Sequence, residues 1–136
     1  MKDHGFQNKP LIVSEYGVLL PSKYIGYIAG QGNKEYGDEL VKTFMRETFD
    51  FMLTEQDPDL GYPADDNRLV QQWLWYSLND QLIDFDAGVT SGFNGSLFYH
   101  NDPTRMTEFG HAFRNYMLHL LGYPRVMLPL AVRKSP

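Results

Sequence analysis

Apolar positions in this chain fall into runs of two periods. Lys9-Pro10-Leu11-Ile12-Val13-Ser14-Glu15-Tyr16-Gly17 is a short apolar run that ends abruptly in a carboxylate, an aromatic ring and a glycine. Pro10 has no N–H to give a ladder and suits a strand's first position. Leu11, Ile12 and Val13 predict a strand buried on both faces, and Gly17 frees the backbone to turn. Strands buried that way belong to parallel sheets, whose ligand sites lie just past the carboxyl ends of the strands, so Glu15 is a candidate for chemistry. The plain alternative is that Glu15 is the first solvated residue of a loop. A second strand is expected over Arg68 to Leu78. There, two-residue alternation places Gln71, Trp73, Trp75 and Ser77 on one face and Gln72, Leu74, Tyr76 and Leu78 on the other.

Between these strands the period changes. From Lys34 to Gln56, Leu40, Val41, Phe44, Met45, Thr48, Phe51 and Met52 recur at three- and four-residue spacing, which predicts an amphipathic helix with a core-facing Phe and Met stripe. Asp57-Pro58-Asp59-Leu60-Gly61-Tyr62-Pro63 ends it as a turn. Val18 to Asn33 reads as a long glycine-rich loop carrying Tyr24 and Tyr27, placed either to line a cleft or to pack beneath the loop. Ser96-Leu97-Phe98-Tyr99 reads as a minor strand or an extended loop. Asp102-Pro103 offers a helix start, and the last helix carries Phe109, Phe113, Tyr116, Met117 and Leu120 before stopping near Gly122 and Pro124. At the front, Lys2, His4 and Gly5 suit the last turn of a preceding helix over residues 1–8, and residues 122–136 read as an extended strap. The expected organisation is a pair of βα units, 10–56 with Glu15 and 68–121 with Trp75, in one segment with no internal linker.

Composition narrows the partners. The 136 residues are 43% hydrophobic and 15% aromatic, which suits a packed domain, and the formal net charge of -5 argues against a nucleic acid partner. No apolar run is long enough to cross a bilayer, and Met1-Lys2-Asp3-His4-Gly5 lacks the apolar segment of a signal peptide, so no membrane partner is expected. A longer parent could still be secreted, and with no cysteine the sequence leaves the compartment open.

Glu15 ending one strand and Trp75 near the end of the next would lie side by side at the mouth of a parallel sheet. There an indole can stack on a sugar ring beside a carboxylate. Here the sequence resembles the C-terminal part of a clan A glycoside hydrolase, a (β/α)8 TIM barrel. Its seventh strand ends in the nucleophilic Glu and its eighth carries a Trp flooring the sugar site. Lys9 to Gly17 is similar to the former and Gln72-Trp73-Leu74-Trp75-Tyr76-Ser77-Leu78 to the latter. Gly95-Ser96-Leu97-Phe98 and Thr107-Glu108-Phe109-Gly110-His111-Ala112-Phe113 are similar to the lead into the clan's last helix. The resemblance runs to about Gly122. It implies a partial barrel, the seventh and eighth βα units of a retaining β-glycosidase. Glu15 would be the nucleophile and Trp75 the stacking platform, with Trp73, Tyr16, Tyr24, Asn79 and Asp80 as subsite residues, a carbohydrate as substrate and no cofactor.

The chain also departs from that clan. A retaining glycosidase needs two carboxylates about 5 Å apart. The clan supplies the second from an Asn-Glu pair on its fourth strand, and this sequence has no Asn-Glu dipeptide. A complete barrel takes about 250 residues. The expectation is therefore a fragment or subunit, inactive alone, that needs an N-terminal barrel portion or partner chain, with self-association through open strand edges as a further outcome. Asp80 and Asp84 would be the first places to seek a second carboxylate. The alternatives are a non-catalytic sugar-binding module using Trp73, Trp75 and the loop tyrosines, and a structural subunit of a larger complex. Other constellations fail on spacing. Asp57, Asp59 and Gly61 depart from a calcium loop, which would need Glu where Arg68 stands, and Gly30-Gln31-Gly32 lacks the Lys-Ser or Lys-Thr of a phosphate loop. His111 and His119 lie eight residues apart on one helix, too far to share a metal unaided. His100 reads as an ordinary loop histidine, and Asn94-Gly95-Ser96 reads as a glycosylation acceptor or a tight turn.

Overall fold

A computed structural model describes residues 5–122. The chain is mixed α/β. Its first strand, β1 (Ile12–Gly17), leads through α1 (Ser22–Ile28) and α2 (Lys34–Thr54) to β2 (Gln72–Tyr76), and the two strands pair in parallel. A hairpin of β3 (Phe98–Tyr99) and β4 (Asp102–Met106) then leads into α3 (Glu108–Leu120). Each sheet has two strands, and among the described residues no barrel closes.

The core lies between the β1–β2 sheet and the helices. Val41, Met45 and Phe49 of α2 and Phe109 of α3 are its buried centre, and Tyr16, Val18, Ile25, Trp73, Trp75, Leu97, Phe113 and Tyr116 pack around it. The stripe on α2 runs through Asp38, Val41, Met45, Phe49 and Met52. This is rotated from the expected one, and Phe44 and Phe51 are exposed. Phe49 contacts both tryptophans, Phe113 and Tyr116, so its single ring joins the sheet to both long helices. Gly37, in the second turn of α2, lets α1 approach closely: a Cβ there would lie 1.8 Å from the Ser22 carbonyl oxygen.

Several expectations change. Leu11 and Ile12 are exposed, so β1 is not buried on both faces, because the helices among the described residues cover one side of the sheet only. Residues 18–33 are not all loop. α1 forms there from a start at Pro21, whose carbonyl accepts from the amides of Tyr24 and Ile25, and the glycines that suggested a loop include one inside the helix, Gly26. Asp102-Pro103 is not a helix start. The Asp102 carboxylate accepts from the Thr104 hydroxyl at 2.7 Å within the hairpin. The cap is Thr107, whose Oγ1 accepts from Gly110 N at 3.1 Å and donates to the Ser96 carbonyl at 2.5 Å. Residues 5–8 form a turn rather than a helix. The rest of the expected leading helix end, residues 1–4, and the strap beyond Gly122 lie outside the described residues.

Candidate functional site

In β1 the pairing Val13↔Trp73 is followed by Tyr16↔Trp75, so two residues of β1, Ser14 and Glu15, stand opposite the single residue Leu74. That is a bulge. In a regular strand Val13 and Tyr16, three apart, would face opposite sides; the extra residue lets both partner tryptophans on the helix side. Glu15, the neighbour of Tyr16, is left exposed on the open side of the sheet. Gly17 ends the strand where a Cβ would lie 2.1 Å from the Tyr76 carbonyl oxygen, so only glycine permits β1 to run this close to β2.

The alternation expected of β2 holds, and its consequence for the site differs from the expectation. Trp73 and Trp75 do point the same way, into the layer shared with the helices. Trp75 meets Tyr16 at 5.4 Å between ring centroids, Phe49 at 6.1 Å and Phe44 at 6.2 Å, and its Nε1 donates to the Gly95 carbonyl at 2.9 Å. Trp73 meets Phe49 at 5.9 Å. Tyr16 packs in the same layer and its hydroxyl lies 3.3 Å from Thr48 Oγ1. These three rings, expected as sugar-facing residues, are half-buried against the core on the helix side, where Trp73 and Trp75 border a cavity with Phe113 and Met117, and Glu15 stands on the other side.

The ring that does accompany Glu15 is Tyr76. It alternates away from Trp75, and its hydroxyl is pushed above the ordinary tyrosine range by the Asp80 charge first, then by burial, with Glu15 contributing. Tyr76 Oη donates to Asp80 Oδ2 at 3.3 Å, and its ring stands 4.5 Å from that of Phe93. Asp80 is held in place: its amide donates to Ser77 Oγ at 2.9 Å, its carbonyl accepts from Ser96 Oγ at 3.0 Å, and the two buried serine hydroxyls lie 2.9 Å apart. The Tyr76–Ser77 peptide that leads from β2 into this frame is cis. The two-residue alternation of β2 places Tyr76 on this face, opposite to the tryptophans.

The remaining expected residues lie further along the same end of the sheet. Asn79 offers its carbonyl to His100 Nδ1 at 3.0 Å, and Tyr24, on α1, packs edge-on to Phe85 at 5.5 Å. No salt bridge or side-chain hydrogen bond holds Glu15 among the described residues, so the site displays a carboxylate without fixing its orientation. Among those residues no cluster of three or more His, Cys, Asp or Glu could hold a metal ion. What the arrangement can offer is an exposed carboxylate, beside a phenol hydrogen-bonded to a second carboxylate, in the C-terminal part of a parallel strand pair. Comparison with family models, curated proteins and solved structures gives no match in any of the three.

Proposed function

We propose that this chain forms the seventh and eighth βα units of a clan A (β/α)8 glycoside hydrolase barrel and carries the nucleophile of a retaining β-glycosidase, Glu15. The observation that carries the reading is the bulge in β1, which lifts Glu15 out of the helix-packed layer onto the face shared with Tyr76. Bulges commonly re-aim a side chain beside an active site. The same face exposes Ile12 and Leu74. Apolar residues there are what the inner side of a barrel wall would present to strands supplied by the rest of a polypeptide or by a partner chain.

In this reading a Glu15 carboxylate oxygen attacks the anomeric carbon. The glycosidic C–O bond breaks, and the leaving oxygen takes a proton from an acid on a further strand. Water, deprotonated by that same group, then releases the sugar and restores Glu15. In this reading Tyr76, rather than Trp75, lies against the sugar, and the hydrogen bond to Asp80 holds its hydroxyl. A separate sugar-binding module built on Trp73 and Trp75 is less well supported, because both rings pack, half-buried, against the core on the side of the sheet away from Glu15.

The test is to join this chain to the polypeptide encoded upstream in its reading frame and assay aryl β-glycosides. Hydrolysis with retained anomeric configuration, lost in Glu15→Gln, is expected. Turnover that survives Glu15→Gln would end the proposal.

A further inference from the structure

A cavity of about 450 Å³ borders Asp80 and lies between the start of α1, the start of α2 and the loop that follows β2. Its volume falls in the range of small-molecule sites. Tyr24, Leu82 and Phe93 contribute apolar wall, and Ser22, Asp38 and Asp80 contribute polar groups. Asp38 is the unusual member. Its side chain is only 6% exposed, one carboxylate oxygen pairs with Lys34, and the other, Oδ1, has no hydrogen-bond partner and is closed off from solvent until a neighbouring side chain moves. A buried carboxylate oxygen left without a donor is destabilising, and an apolar residue at this position of α2 would avoid it.

We infer that this cavity is a sugar subsite, in which a ring hydroxyl of the substrate donates to Asp38 Oδ1 while the C–H face of the ring lies on Phe93 and Leu82. A neutral hydroxyl fits better than an ammonium group, because Lys34 already places one positive charge on Asp38. The choice of a sugar rests on the glycosidase reading: Asp80 both lines this cavity and accepts from Tyr76, which joins it to the place of Glu15. The substrate would then be at least a disaccharide, with one unit beside Glu15 and the next in the cavity. Lys34, more than half exposed on the rim, is the part of the wall that can turn aside to admit it.

Saturation-transfer NMR on the full chain tests this at equilibrium, using methyl β-glucopyranoside, methyl β-galactopyranoside and methyl β-mannopyranoside, with benzylamine as the organic cation. At least one glycoside should bind. Its affinity should fall about tenfold in Asp38→Asn, the loss of a hydrogen bond to a charged group. It should be lost in Leu82→Trp, which fills the cavity from an exposed position that the fold can spare. If Asp38→Asn does not fold, Leu82→Trp alone decides. Failure of all three glycosides, binding of benzylamine alone, or glycoside binding unchanged in Leu82→Trp would overturn the inference. No turnover enters this measurement. A cavity that binds sugar while the joined enzyme is inert would therefore count against the glycosidase reading alone, and an active joined enzyme with an empty cavity would count against the subsite alone.

Discussion

Tyr16 stands edge-on to Trp75, with ring centroids 5.4 Å apart and ring planes at 87°, so the two strands are joined by an aromatic pair as well as by their ladder. Such pairs add about 0.5–1.5 kcal/mol beyond the area they bury. Trp75→Ala should destabilise the fold by roughly 3–5 kcal/mol, and Tyr16→Phe, which keeps the ring and gives up the Thr48 contact, by about 1 kcal/mol. Urea unfolding of the two variants checks this. Near-equal effects would show that the pair does not organise the sheet.

The same tyrosine sets a pH dependence. Burial pushes the Tyr16 hydroxyl from 10.0 up to about 12, against a smaller lowering by the Thr48 hydrogen bond. Tyr116 is also raised, by burial first and then by its 2.7 Å hydrogen bond to Asp50. A raised folded-state value means that the fold favours the protonated phenol. The contribution is complete below pH 10 and is lost as pH rises from about 10 through about 12. Unfolding midpoints measured from pH 8 to 12 should therefore fall over that window, and Tyr16→Phe should flatten the fall. A midpoint independent of pH across the window would contradict the burial of Tyr16.

Thr107 is the cap of α3 and also ties that helix to the residues beside Asp80 through the Ser96 carbonyl. Thr107→Ala should cost about 1–2 kcal/mol, the upper part of the usual range for a lost cap. Thr107→Ser, which keeps the hydroxyl, should recover most of it by the same denaturation assay.

Gly37→Ala places a methyl group where the Ser22 carbonyl stands, which forces α1 and α2 apart. The expected loss is about 1–3 kcal/mol, typical of overpacking. In hydrogen exchange the opening should appear first in the amides of α1.

The uncovered face of the sheet predicts association. Ile12 is 50% exposed and Leu74 58%. Patches of this kind on paired strands with free edges recruit other surfaces. Light scattering of the purified chain should show self-association that weakens in Ile12→Lys with Leu74→Lys. A compact, cooperatively unfolding monomer would show that the chain buries its own core unaided.

The parallel pair and its long connecting helix were legible because both carry a period. Two-residue alternation at Trp73 and Trp75 and three- to four-residue spacing at Val41 and Met45 are local properties. The bulge was not legible. Nothing in Ser14-Glu15 distinguishes an extra residue from an ordinary one; it is fixed by which rings find room against Phe49. Alternation puts the two tryptophans on one face of β2, but which face the helices cover is decided by packing at a distance in sequence. α1 was hidden for a related reason, since its seven residues are held by Gly26 and Gly37 packing against backbone rather than by a strong periodic stripe. Asp38 could have been noticed: three residues before Val41, it falls on the core face of α2, where an acid is out of place.

The bulge also separates two inheritances within one strand. The packing of the domain constrains residues 13 and 16, whereas residue 15, on the opposite side, is constrained only by whatever it meets there. Substitution at 15 can therefore exchange one chemistry for another while the domain stays folded, so this position can evolve faster than its neighbours without penalty to the scaffold. Loss of one residue between Val13 and Tyr16 is a different event. It would turn either ring or branch out of the helix layer and bring position 15 inward, so in this strand a deletion is far more damaging than any single replacement of Glu15.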